Sequence, residues 1–237
     1  TSYYGGIHSI AKDSIGRIWF SGYDALFVYN GKTFTQMNDL VTTISPKSYW
    51  AYGQVLVDKS KKLYVATNQG LLRFNYKKQK FELLLKGNVG TITLSKDGSI
   101  WLIRDNKIES FLPNNLNSLK NYPLLNSNVS ALICTKKHTY IASKRKLYIL
   151  DKITKKHKLC ADLGSIGSEI KDVIELNNSR YILTQTDGVY QCAANGKIVK
   201  HYDLYFGNKK SASAKSLYVD SKNIIWVATQ SGMFLID

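Results

Sequence analysis

The chain has 237 residues, 44% of them hydrophobic, which excludes global disorder and leaves ample material for a core. Lys and Arg number 33 against 17 Asp and Glu, a formal charge of +16, so the surface either meets an acidic partner or is solubilised by lysine. No run of 18 apolar residues occurs, so nothing in this stretch spans a membrane as a helix. Cys134, Cys160 and Cys192 are odd in number and lack metal-like spacing, which argues against a disulfide framework and for small buried hydrophobes.

In chain order, the first 40 residues read as four short strands. "IHSIAKD" is followed by the turn "SIG", "RIWFSG" by "YDA", "LFVYN" by "GK", and "TFTQM" closes the set. The same sentence returns as "KKLYVATNQGLLRFN", "KDGSIWLIRDNKI", "VSALICTKKHTYIASKRKLYILD", "IKDVIELNNSRYILTQTDGVYQC" and "KNIIWVATQSGMFLID". Its aromatic falls at Trp19, Tyr64, Trp101, Tyr140, Tyr181 and Trp226, with gaps of 45, 37, 39, 41 and 45 residues. A period near 40 with four strand-like pieces per unit predicts an all-β fold, a β-propeller of four-stranded blades with six repeats visible and room for a seventh in the intact domain. A β-sandwich or barrel of similar strands leaves the repeated phrase unexplained.

Local chemistry supports the parse. Gly16, Gly31, Gly98, Gly188, Gly196 and Gly232 sit at turns, where positive φ is often required. Asp13, Asp58, Asp97 and Asp220 are expected to end first strands and to accept backbone N–H groups of the following turn. The fourth and fifth units lack that aspartate. The last unit stops after its third strand, and "TSYYGG" at the start of the chain is a candidate for its outer strand. Residues 1–237 are expected to be a single propeller domain, and a chain beginning at Thr1 fits a piece of a larger protein.

The phrase D–x–x–G–x–I–W–x–(A/S)–T–x–x–G–(L/M)–x stands here as "DSIGRIWFSGYDALF", "DKSKKLYVATNQGLL", "KDGSIWLIRDNKI" and "DSKNIIWVATQSGMF". It resembles the two-component regulator propeller repeat, over nearly the whole chain and most closely in the first, second and last units. Tyr replaces Trp in three units, and the A–T element is lost in the third. The resemblance implies the periplasmic sensor region of an inner-membrane hybrid two-component histidine kinase. The expected partners are then an oligosaccharide ligand and neighbouring propeller and β-sandwich domains of the same protein, and a homodimer is compatible with it. Kinase activity would reside elsewhere in the intact protein.

For the propeller itself no enzymatic activity, cofactor or metal is expected. His8, His138, His157 and His201 are scattered, and no His-Glu-x-x-His pair, nucleophile elbow or phosphate-binding loop is present; "GSIGS" is only weakly like a phosphate cradle. Many lysines (Lys59, Lys61, Lys62, Lys77, Lys78, Lys80, Lys136, Lys137, Lys155, Lys156, Lys158) fall in turns between first and second or third and fourth strands. That face reads as solvated, and its lack of interleaved aromatics argues against nucleic acid.

Ligands of propellers usually bind at the other face, built from the turns between second and third strands and from the links between blades. There the candidate ligand-binding residues are Tyr23, Arg104, Asn106, Lys144, Arg145, Gln185 and Gln230, with Tyr49 and Trp50 in the long link "SPKSYWAY". Arginine grips carboxylate or sulfate bidentately, amides bond hydroxyls, and an aromatic face is a platform for a sugar ring. The charge leans the expected ligand towards an acidic glycan. A structural scaffold, with the ligand held by another domain, is the alternative.

Overall fold

The computed structural model describes residues 6–22, 25–38, 52–123, 129–165, 168–210 and 213–237. They form two compact units, Thr1–Tyr122 and Pro123–Asp237, each made of three consecutive antiparallel blades. Among the described residues there is no helix, hence none long and apolar enough to cross a membrane.

In the first unit the opening blade comprises Ile7–Lys12, Ile18–Gly22, Leu26–Tyr29 and Phe34–Gln36, each strand pairing with the next. The second comprises Tyr52–Val57, Leu63–Thr67, Gly70–Asn75 and Lys80–Lys86, and the third Val89–Leu94, Ile100–Arg104, Lys107–Leu112 and Asn115–Tyr122. The second unit continues with a fourth blade, Val129–Cys134, Thr139–Ser143, Lys146–Leu150 and His157–Asp162. A fifth follows as Ile170–Leu176, Ser179–Thr184, Val189–Cys192 and Ile198–Tyr202. The sixth has three described strands, Ala214–Val219, Ile225–Thr229 and Gly232–Ile236. Thr1–Gly5, candidates for its outer strand, lie outside the described residues. The link before the sixth blade carries a small hairpin, in which Tyr205–Phe206 and Lys209–Lys210 pair around Gly207 at φ 60°.

The second strands of the second and fourth blades are buried on both faces, and within each unit the blades cover one another. Trp19, Leu26 and Val28 pack on Val65, Leu72, Phe74 and Phe81 of the second blade, and Tyr64, Ala66 and Leu71 pack on Ile92, Ile100, Leu102 and Phe111 of the third. In the second unit Tyr140, Ala142 and Leu147 meet Val173, Ile182 and Tyr190, while Leu183 and Val189 meet Leu217, Ile225 and Val227. Gly188 marks the tightest turn: at φ +83° an added Cβ would stand 2.1 Å from the Tyr202 carbonyl oxygen.

The repeated aspartate ties turn to core. Asp13 Oδ1 accepts from the backbone N–H groups of Ile15 and Arg17, and Oδ2 from Trp19 Nε1 at 2.9 Å. Asp58 does the same for Lys62 N and Tyr64 Oη, and Asp220 for Lys222 N, Ile224 N and Trp226 Nε1. Each indole or phenol can therefore be buried with its polar atom satisfied. In the third blade the register differs from expectation. Ser95, not Asp97, occupies the slot, since its N–H bonds Ser99 O as Asp13 N–H bonds Arg17 O. Asp97 sits two residues later and reaches Trp101 through the Ser99 hydroxyl.

Within each unit, first strands of successive blades lie beside one another without forming a ladder, so side chains satisfy their inner edges. Ser9 Oγ donates to Val55 O, Gln54 Oε1 accepts from Ile92 N, and Asp172 Oδ2 accepts from Leu217 N. Asp172 pays most for this duty, because desolvation pushes its carboxyl up to about 6 despite two backbone N–H donors. A raised folded-state value means stability is full below the ordinary carboxylate range and falls as pH rises towards 6. Chemical denaturation from pH 4 to 7 should show this slope, worth up to about 3 kcal/mol, and Asp172→Asn should flatten it.

Candidate functional site

Turns and links leave backbone groups at the ends of strands, and in the second unit these pair across blades into a continuous rim. Lys144 O, in the fourth blade's second turn, accepts from Ile170 N at 2.8 Å. Glu169 O accepts from Gln185 N, Gln185 O from Ala214 N, and Ser213 O from Gln230 N, each at 2.8 Å. Three residues singled out from the sequence, Lys144, Gln185 and Gln230, are thus successive steps of one hydrogen-bonded edge. The first unit repeats the device: Gly87 N bonds Gln69 O, and Asp105 N bonds Asn88 O while Asp105 Oδ1 accepts from Asn88 N.

Beside the second unit's rim lies a concavity of about 800 Å³ lined by Ser143, Lys144, Arg145, Lys146, Tyr148, Asp162, Gly164 and Glu169. Lys144 takes a left-handed backbone at φ 54°, so the exposed side chains of Lys144, Arg145 and Lys146 fan from one tight turn. Lys146 pairs with Asp162 at 3.5 Å, and Glu169 is engaged by Lys171 at 2.6 Å. Arg145 donates to the Gly164 carbonyl at 3.3 Å. Among the described residues neither Lys144 nor Arg145 has a carboxylate within ion-pair distance. Two cations on a fixed backbone, with local acids already occupied, suit an anionic group, which arginine holds through a planar fork.

The other sequence candidates fare differently. Arg104 is committed: Nε and Nη2 make a bidentate pair with buried Glu109 at 2.7 and 2.8 Å, and Nη1 bonds Lys86 O at 2.7 Å. Those contacts make it a clamp between second and third strands. Asn106 is an exposed turn residue at φ 60°, Gln185 is half-buried, and Gln230 is exposed. Tyr23, Tyr49 and Trp50 lie outside the described residues. Sequence reasoning missed Asp162, Gly164 and Glu169 as neighbours of the basic turn. The link carrying Gly164 and Glu169 shows only flexibility in one dimension, and its meeting with Arg145 is a tertiary event.

The opposite end of the second unit holds a cavity of about 770 Å³ between the first-strand turns, lined in part by His138, Asp172, Glu175 and Arg180. These four are engaged in structure. Glu175 accepts from Thr135 Oγ1, from Tyr140 Oη at 2.8 Å, and bonds His138 Nδ1 at 2.6 Å. Arg180 donates to Tyr140 Oη and to the carbonyls of Ala193 and Ala194. In the first unit several turn lysines are likewise tied down, Lys59 to Lys96 O, Lys62 to Asn114 Oδ1 and Lys78 to Glu82. Among the described residues no group of three or more His, Cys, Asp or Glu is placed to hold a metal ion.

No family profile and no curated protein matches the chain in sequence. Its architecture is shared with solved structures. It is similar to selenomethionine-substituted virginiamycin B lyase from Staphylococcus aureus, with a TM-score of 0.77 at 13% identity over 100% of this chain and 83% of the lyase. It is also similar to the extracellular domains of two hybrid two component systems from B. thetaiotaomicron. One gives a TM-score of 0.61 at 17% identity over 98% of this chain and 38% of that one. The other gives 0.56 at 18% identity over 99% and 40%. The chain thus spans about two-fifths of those sensor domains. These likenesses establish the fold, a β-propeller of six blades, and the neighbours include both an enzyme and extracellular sensor domains.

Proposed function

We propose that this propeller is an extracytoplasmic, periplasmic recognition module of a hybrid two-component sensor, binding an acidic oligosaccharide at the rim of its second unit. The observation that carries the reading is the Lys144–Arg145 pair, exposed over the concavity without a described carboxylate partner, on a backbone edge fixed by inter-blade hydrogen bonds. A sugar carboxylate or sulfate meets Arg145, and Gln185 and Gln230 along the same rim offer amides to hydroxyls. Ligand preference for one arrangement of the neighbouring domains then shifts a kinase equilibrium. The fold similarity to extracellular sensor domains supports the setting.

Titration calorimetry of the chain with galacturonic-acid oligosaccharides, beside neutral oligosaccharides of equal length, tests the reading. Selective binding of the acidic series is expected. Lys144→Ala/Arg145→Ala should weaken it by about ten- to a hundredfold, since a charge-assisted bond contributes about 1.5–3 kcal/mol. Both side chains are exposed, so Tm should stay in place. Flat titrations at moderate salt would reject the reading in favour of a scaffold role with the ligand held elsewhere.

A further inference from the structure

The turn between third and fourth strands is built alike in three blades, and in one of them its tip changes character. Asn30 Oδ1 accepts from the N–H groups of Lys32 and Thr33, and Asn75 Oδ1 from those of Lys77 and Lys78. In the fourth blade Asp151 Oδ1 does the same, accepting from Ile153 N at 2.8 Å and Thr154 N at 3.0 Å. The residue two places after the acceptor is thus a lysine in the first and second blades and an isoleucine in the fourth. Ile153 is 92% exposed, the barest large hydrophobic side chain among the described residues. Its turn is fixed: Asp151 N bonds Lys156 O at 2.9 Å, and Lys155 takes a left-handed backbone at φ 57°. The Thr154 and Ile153 N–H groups also hold the Asp151 carboxyl below its ordinary range, so the lock persists at neutral pH.

The surroundings of this tip are basic. Lys152, Lys155 and Lys156 stand exposed in the same turn. Tyr140 pairs with Ile133 on one side and Ile149 on the other, so the first-to-second-strand turn emerges at the same end and adds exposed Lys136 and Lys137. Those two share a cavity wall with Ala194 and Asn223, which places the corresponding turns of the fifth and sixth blades, with exposed Lys197 and Lys222, at that end too. The carboxylates there are Asp151, Glu175 and Asp220, and all three direct oxygens inward, to backbone N–H groups, to Tyr140 or to Trp226. An apolar tip ringed by lysines discriminates among acidic partners. A soluble polyanion would satisfy the lysines and leave Ile153 in water. An anionic bilayer satisfies both, because lysines meet its headgroups while the isoleucine enters the acyl boundary.

We propose that this end of the second unit docks on a bilayer leaflet rich in anionic phospholipid, with the Asp151–Lys156 turn as the inserting tip. The inference is independent of the sugar reading, since the turn that carries Lys144 and Arg145 leaves the opposite end of the fourth blade. Co-sedimentation of the 237-residue chain with mixed phosphatidylcholine–phosphatidylglycerol vesicles, beside vesicles of phosphatidylcholine alone, tests it. Binding to the mixed vesicles only is expected, at moderate salt. Ile153→Ser should weaken it about tenfold with Tm unmoved, because the side chain touches water rather than core. Lys155→Ala/Lys156→Ala should weaken it by about ten- to thirtyfold. Lys144→Ala/Arg145→Ala, which removes the same charge from the other end, should leave it in place.

No binding to the mixed vesicles at moderate salt overturns the proposal. Binding that Ile153→Ser leaves intact also overturns it, and assigns the lysines to a soluble polyanion. Equal weakening by the two double variants overturns it as well, since the vesicles would then be reading net charge and not this surface.

Discussion

Asp13→Ala is expected to cost the fold about 3–5 kcal/mol, the range for removing one partner of a buried, hydrogen-bonded charge pair. The carboxylate is fully covered and receives four donors: the N–H groups of Ile15 and Arg17, the Arg17 Nε and the Trp19 indole. Removing it strands all four. It also frees an arginine whose guanidinium lies over the rings of Trp19, Phe74 and Tyr76 at 5.2–5.6 Å, in the centre of the first unit's core. Burial alone would raise the Asp13 carboxyl, but the bonds from Trp19 and Arg17 outweigh it and hold the group below the usual carboxylate range. A depressed folded-state value contributes stability above the unfolded value and loses it as pH falls through the folded one. Urea denaturation at pH 7 and pH 3 should therefore separate wild type from Asp13→Ala at neutrality and bring them together in acid. An equal gap at both values would mean that packing, not charge, carries the loss.

Glu175→Ala should be the second severe lesion, at about 2–4 kcal/mol. Glu175 belongs to the fifth blade yet completes the fourth, where no aspartate precedes Tyr140. Its carboxylate accepts from Tyr140 Oη, Thr135 Oγ1 and His138, and Tyr140 Oη in turn accepts from Arg180 Nε at 3.1 Å. Desolvation works against ionisation here, but the three hydrogen bonds prevail and the pKa is lowered. Stability from this network is therefore present above the ordinary glutamate value and is lost on acidification. Glu175→Gln keeps an acceptor for Tyr140 and should recover part of the loss. Because Glu175 joins two blades, hydrogen exchange should rise in both the fourth and fifth in the alanine variant. Exchange confined to the fifth blade would show that Tyr140 finds another acceptor.

Periodicity was legible because it is local. The spacing of Trp19, Tyr64, Trp101, Tyr140, Tyr181 and Trp226 sets six second strands, and each turn chooses its own geometry from a few residues. The Asp13–Trp19 and Asp220–Trp226 bonds span six residues, within reach of sequence reasoning. Ser95 escaped it, since only the turn bond to Ser99 O reveals which residue holds the slot. Glu175 escaped it for a stronger reason: it acts on Tyr140 from 35 residues away, across a blade junction.

The candidate site divides the same way. Residue types and turn positions alone place Lys144, Arg145, Gln185 and Gln230 on one rim, because second-to-third-strand turns share a face in every blade. Tertiary structure decided which cations remain available. Arg104 and Arg145 look alike in sequence, but Glu109 stands five residues from Arg104 on the paired strand and grips it bidentately, whereas among the described residues Arg145 meets a carbonyl. Likewise Trp19 and Trp226 occupy identical slots with identical aspartates, and only packing distinguishes the fully covered ring from the half-buried one. Short-range rules fix strands, turns and their polar partners; burial and ion pairing are pairwise properties of surfaces distant in sequence, and so were settled only by the folded chain.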